Sequence, residues 1–317
     1  MSARSSWVGP GLLLVLATAF ISGISTFVNF YAVKGTSSDA FVTVRNVMVA
    51  AAFVPVAFAA TRSLRAPALR SVDWLRLVVI GLIGGAIPFL LFFHGLQIAT
   101  AAGGAATASF GYRTLFLWAT VFGIVVLHEK FHWRIALGAT LLLAGNVLLL
   151  SLTSPIWTDG TAYVLAATVL WAAEYTISKR TLKDIPSATV VLGRMGFGAM
   201  FLVGYLTLTT QWGTVAGFTG GQWEWVGISA ALLGAFVATF YPGLKRVDLG
   251  TASSALVLGF PVTWLLAVLV QGSSFTLAQA AGVLAIVAGV GTVIGLTQLR
   301  EAWLFLHRLG RPQPGFL

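Results

Sequence analysis

Arg113 sits in SFGYRTLFLW (Ser109–Trp118), one of the most apolar stretches of the chain. An arginine at the centre of a bilayer is unfavourable by about 3 kcal/mol on insertion scales. Its guanidinium does not give up its proton. Such a residue is retained where it faces protein, water or a charged partner. Two chemistries fit it: bidentate binding of a carboxylate or phosphate on a solute, or pairing with Glu174 between substrates. The structural alternative is an arginine bonded to backbone carbonyls at a helix break.

Glu174, in LWAAEYTISKR, is the one acid placed well inside an apolar run. A buried carboxyl can carry a proton in exchange for solute. An end-of-helix acid paired with Lys179 or Arg180 is the alternative. His94 is a second proton-relay candidate, set against an ordinary helix-bonded histidine. Tyr112, Trp118, Trp171, Tyr175, Tyr241 and Trp264 are the aromatic candidates for lining a solute site. For each of them, helix packing or lipid contact is the competing role. Arg45 and Arg194 lie near the starts of their runs, where a long side chain can snorkel to the interface and anchor the topology, with gating as the alternative role. Tyr241-Pro242 indicates a kink.

HEKFH (128–132) formally matches the H-E-x-x-H zinc-protease motif. On a continuous helix His128 and His132 would share a face, with Glu129 as general base. Asp248 could then supply an acidic third ligand, making a membrane-embedded protease the enzymatic alternative. The motif falls on a short basic loop, so the expectation is no metal site. Glu129 and Lys130 are then corner or gate residues.

These residues require elements that cross a membrane. Hydrophobic residues make up 58% of the 317, and charged residues 9%, against about 25% charged in a soluble domain. Ten spans are expected, near 9–31, 40–61, 75–98, 102–127, 134–152, 160–178, 187–210, 223–243, 250–271 and 277–298. Pro10, Pro186 and GFTGGQ (217–222) are expected to mark ends and turns. Trp74, Trp133 and Trp223 sit at span edges, as interface belts do. Span one resembles a signal peptide with ATA (17–19) as a cleavage site, but its flank is weakly basic and the repeat described below requires it.

The charge of +10 is arranged as a topology signal, not as a nucleic-acid surface. With the N-terminus inside, fifteen of the nineteen Lys and Arg residues fall on inner loops or tails, and only Lys34 falls on an outer loop. The positive-inside rule therefore puts both termini in the cytoplasm. No Cys is present, which excludes disulfides and thiolate metal sites. No phosphate-binding loop is present, so no nucleotide cofactor is expected.

The chain repeats itself. GLQIATAAGGAATASFG from Gly95 matches GLKRVDLGTASSALVLG from Gly243. FHWRIALGATLLLAGN from Phe131 matches FTLAQAAGVLAIVAGV from Phe275, pairing Gly138 with Gly282 and Gly145 with Gly289. VRN around Arg45 matches GRM around Arg194. Five spans per repeat is an odd number, so the halves enter the membrane in opposite directions, as in many secondary transporters. The expected fold is all-α, with ten transmembrane helices in two inverted five-helix repeats, 1–155 and 156–299. A tail at 300–317 follows, with RLGRPQPGFL expected to be disordered.

The small-residue helix, the LHEKF corner and the following helix with its Ala144-Gly145 resemble the signature half of EamA-type members of the drug/metabolite transporter superfamily. Pro261, in GFPVTWLLAVLVQGSSF, stands where that family commonly has proline. The resemblance covers almost the whole chain. It implies a secondary transporter of a small metabolite such as an amino acid or organic anion. The solute would sit in a central cavity between the halves of a plasma- or inner-membrane protein, with export the expected direction and a proton gradient one available driving force. The chain departs from the pattern in three places: the second corner, QGSSF, lacks the glutamate; the first repeat has four extra residues between Gly111 and Phe131; and Arg113 stands opposite Pro261. The partners implied are a small-molecule substrate and the lipid bilayer. Monomer and homodimer both stay open, as does a passive channel.

Overall fold

The computed structural model describes residues 5–32, 36–63, 69–152, 155–272 and 274–309. Arg4, Lys34, Arg65 and Arg311 of the topology count, and 310–317 of the tail, lie outside the described residues. Regular structure is entirely helical among the described residues: α1 Ser5–Ala32, α2 Ser38–Ser63, α3 Ser71–Ile80, α4 Ile87–Ala101, α5 Ala105–Arg113, α6 Leu115–Leu127, α7 Trp133–Leu149, α8 Asp159–Thr181, α9 Ser187–Leu208, α10 Trp212–Ala216, α11 Gly220–Arg246, α12 Leu249–Leu256, α13 Gly259–Gln271 and α14 Leu277–Leu309. A π-helical segment, Gly81–Ala86, joins α3 to α4.

Eight described stretches are long and apolar enough to cross a membrane, and α7 is apolar but shorter. Helix α8 has 23 residues, but Thr161, Thr168, Glu174, Ser178 and Thr181 dilute its apolar character. All five are fully buried, on the side of α8 that packs against protein, while Tyr163 on its other side is 40% exposed. The expected third span is one stretch, Ser71–Ala101, bent through the π segment. Spans four and nine are each broken near the middle. Thr114 N donates to Gly111 O, and Val257 N to Ser254 O, so tight three-residue turns interrupt the α-helical ladder, just after Gly111 in span four and just before its counterpart Gly259 in span nine.

The sequence repeat is a packing repeat. A Cβ on Gly95 of α4 would lie 2.6 Å from the Gly160 carbonyl of α8. A Cβ on its counterpart, Gly243 of α11, would lie 3.2 Å from the Gly11 carbonyl of α1. The paired glycines of the closing helices meet crosswise: the Gly138 position is 2.9 Å from the Gly289 carbonyl, and Gly145 is 2.7 Å from that of Gly282. Without side chains there, α7 and α14 pack backbone to backbone.

GFTGGQ marks the turn between α10 and α11 as expected, while Pro10 and the end of the last span differ from expectation. Pro10 lies inside α1 and does not end it, in the early turns where a missing N–H removes little. The 209–219 connection carries the short helix α10. Helix α14 does not stop near 298: Gly295, at φ 77° and ψ 154°, breaks it, and helix resumes to Leu309. Residues expected to begin the tail are thus helical. Pro186 does precede α9, and Thr219 with Gln222 forms a capping box at the start of α11.

Candidate functional site

Helices α6 and α12 run from the centre of the bundle to the end that carries the basic loops. They line two cavities in succession. At the centre is a small one of about 20 Å³, bordered by Tyr112, Arg113, Phe116, Tyr175, Ser253 and Phe260. That is room for roughly one water. Thr120 of α6 lies one turn beyond Phe116, and Thr251 of α12 lies near Ser253. Both border the second cavity, a vestibule of about 1430 Å³ at the basic end. Lys130, Arg134, Lys183 and Lys245 give it cationic walls.

The break at Thr114 places Arg113 at the inner edge of α5. Arg113 Nη1 donates to Asn146 Oδ1 at 3.1 Å, and its guanidinium lies 4.1 Å from the centre of the Phe260 ring. No carboxylate pairs with it among the described residues. Asn146 is 1% exposed, and its amide also donates to Leu142 O, which fixes its orientation. The sequence reasoning missed Asn146; the signal was an isolated amide in the apolar closing helix.

Glu174 does not pair with Arg113, Lys179 or Arg180. Its Oε1 accepts from Ser178 Oγ at 2.5 Å and from Tyr241 Oη at 2.7 Å. Its Oε2 lies 3.6 Å from Arg194 Nε. Arg194 Nη2 donates to the Gly84 carbonyl at 2.9 Å, and Trp171 Nε1 donates to the same oxygen at 3.1 Å. Asn46 Nδ2 donates to the Gly85 carbonyl at 3.0 Å. The sequence explains why Gly84 O is available: its α-helical donor would be the N–H of residue 88, and Pro88 has none. Gly84 also admits the carboxylate, since a Cβ there would lie 2.4 Å from Glu174 Cγ.

Arg45 and Arg194 do not snorkel to an interface. Each is 3% exposed. Arg45 stacks on Phe89 at 4.9 Å, and its Nη2 has no hydrogen-bond partner among the described residues. The interior beside the π segment draws both inward, because it offers carbonyls and an aromatic ring where a lipid-facing position would offer neither.

The aromatic candidates divide. Tyr112, Tyr175 and Trp171 are brought together: Tyr112 contacts Trp171 edge to face at 5.6 Å, and both tyrosines border the central cavity. Tyr241 serves Glu174. Trp118 is 39% exposed and donates to Thr114 Oγ1, so it lies on the outer face of α6. Trp264 packs on Phe275 away from the central cavity. His94 is exposed and lies edge-on to Tyr163. It stands apart from the buried polar cluster.

The HEKFH protease alternative is not supported. His128 takes a left-handed conformation, φ 57° and ψ 36°, and ends α6; residues 128–132 are not helical, so His128 and His132 do not share a helix face. No group of three metal-binding side chains occurs among the described residues. Glu129 instead reaches the second repeat. Its carboxylate accepts from the backbone N–H groups of Leu249 at 2.7 Å and Gly250 at 3.3 Å, at the start of α12. Burial raises the Glu129 carboxyl above its ordinary value, against the opposing pull of those two donors. Lys130 borders the vestibule.

A multi-pass helical bundle of two equivalent halves, with a buried charged hub between them, defines a class of membrane protein. The sequence profile of the EamA-like transporter family matches residues 9–151 and again 159–295. The chain belongs to that family, within the drug/metabolite transporter superfamily. Twenty-eight chains of solved structures resemble it. One, titled only "Crystal structure of protein", has a TM-score of 0.71 at 20% identity, covering 92% of this chain and 98% of its own, and so shares the fold. No curated protein matches the sequence.

Proposed function

We propose that the chain is a secondary transporter that moves a small anionic or zwitterionic metabolite out of the cell by alternating access. Ten spans in two inverted halves, both termini cytoplasmic, carry it across the plasma or inner membrane. The observation that carries this reading is Arg113: a half-buried guanidinium on the central cavity, held by a neutral amide and by no acid among the described residues. The cavity of about 20 Å³ has room for roughly one water in this closed arrangement, so the site must widen as the halves part, and a solute carboxylate or phosphate would then supply the missing charge. Tyr112, Tyr175 and Phe260 would bound its apolar part. The vestibule at the basic end raises the local concentration of anions. Breaks near the middle of spans four and nine provide places for the halves to flex.

Glu174 is the coupling carboxyl in this reading. Taking up a proton would remove the counter-charge of Arg194, so proton binding and helix position become linked through one buried pair. The test is exchange of a mixed amino-acid and organic-anion pool in proteoliposomes, with and without an imposed proton gradient. Accumulation of anionic solutes in the wild type and its loss in Arg113→Ala, with insertion preserved, is the expected result. Equal transport by the two proteins overturns the role of Arg113. Flux that never exceeds equilibration under a gradient would mark a passive channel instead.

A further inference from the structure

The helix beyond Gly295 is unexplained by transport. Residues 296–309 form fourteen residues of helix turned away from the last span by the Gly295 break. One side is tied to the protein: Ala302 is 4% exposed, and the Glu301 carbonyl lies within 2.9 Å of where a Gly9 Cβ would stand. The other side is bare. Leu296, Trp303 and Leu306 are 83%, 61% and 51% exposed. Leu296 and Trp303 are seven residues apart and so share one stripe of the helix. Arg300 and His307 are exposed beside them, and His307 stacks on Trp303 at 5.3 Å. In water such a stripe would be an exposed apolar face. Directly continuous with a membrane span, at the end where basic loops gather, it matches an interfacial helix.

We propose that residues 296–309 lie flat in the headgroup region of the basic, inner leaflet and bind its anionic lipids. Leu296, Trp303 and Leu306 enter the acyl boundary, and Arg300 pairs with lipid phosphate or carboxylate. Gly295 is the bend that makes this possible. Thr297 and Gln298, on the first turn, border the vestibule, so a lipid-seated helix forms part of its rim. The proposal rests on the membrane topology given above.

The chain has no cysteine, so Trp303→Cys and Leu284→Cys each take a single environment-sensitive fluorophore in the full-length protein. Leu284 is 70% exposed within the last span and reports on the topology alone. Both proteins are reconstituted in phosphatidylcholine vesicles, with and without phosphatidylglycerol. The label at 303 is expected to be quenched by headgroup-proximal nitroxide lipid roughly twofold or more above its quenching by aqueous iodide. Phosphatidylglycerol should widen that ratio, and salt or Arg300→Gln should narrow it. Deep nitroxide lipid quenching at 284 combined with iodide quenching at 303 would sink this proposal and leave the topology standing. Failure at 284 would sink the topology. Shielding at 303 from both quenchers, with cross-linking of two copies through that position, would assign the stripe to a second copy and also overturn the proposal.

Discussion

Glu174 Oε2 stands 3.6 Å from Arg194 Nε, close enough for an ion pair and too far for a hydrogen bond. Both side chains are almost wholly out of solvent. The pair is therefore held by its other bonds: Ser178 and Tyr241 on the carboxylate, Gly84 O on the guanidinium. Removing one partner of a buried pair typically destabilises by about 3–5 kcal/mol, because the other charge is stranded. Arg194→Met should show that loss in detergent melts, and Glu174→Gln combined with Arg194→Met should recover part of it. Losses that simply add would mean the two do not interact.

Glu174→Gln alone keeps acceptor and shape for Ser178 and Tyr241 while removing the titratable proton. Transport by this variant should no longer respond to an imposed proton gradient, and downhill exchange should continue. A gradient response equal to wild type removes Glu174 from coupling.

Gly84 and Gly204 make a paired test of close packing. A methyl at Gly84 would collide with Glu174 Cγ at 2.4 Å, whereas nothing lies within 4 Å of the Gly204 position. Gly84→Ala should destabilise by about 1–3 kcal/mol, as overpacking does. Gly204→Ala, on an open face of α9, should be neutral or stabilising by up to about 1 kcal/mol. Thermal melts in one detergent compare them directly.

The carboxyl of Glu129 titrates above its ordinary value of 4.5 in the folded chain. The folded state then holds this proton more tightly than the unfolded state does. Its contribution to stability is full below pH 4.5 and is lost as pH rises from there to the raised value. Glu129→Gln removes the titration. The wild-type melting temperature minus that of Glu129→Gln should therefore fall across this window and level off above it. A difference that rises with pH would show the opposite linkage.

Much of the bundle was legible in the sequence. The repeat alignment named Gly95 with Gly243, and each proves to be a close approach to the opposite half, at Gly160 and Gly11. It also named the four glycines that meet between α7 and α14. Charge pairing was not legible. Arg194 counts as near a helix end, and only the fold shows it facing a carbonyl that Pro88 leaves free on another span. Likewise the sequence offers Glu174 as one of several partners for Arg113, while its actual partner is an uncharged amide thirty-three positions on. For Trp118 the sequence leaves cavity and lipid contact both open, because α6 is apolar on nearly every face and carries little sign of which side meets lipid.

Arg113 and Asn146 lead to the sharpest functional expectation. Asn146 Oδ1 occupies Nη1 of the guanidinium and orients its fork on the Phe260 ring. Lysine would keep the positive charge but could not reproduce that fork or stack its plane on the ring. If the solute binds bidentately, Arg113→Lys should lower transport efficiency roughly tenfold or more, the equivalent of about 1.5–3 kcal/mol for a hydrogen bond to a charged group. Asn146→Ala should leave the charge in place but release its orientation, raising the half-saturation concentration with a smaller effect on maximal rate. Asn146→Asp would supply the counter-charge permanently. It should compete with the solute for Arg113 and abolish transport while stabilising the folded protein. Transport undiminished in Asn146→Asp would show that the solute does not depend on the unpaired charge of Arg113.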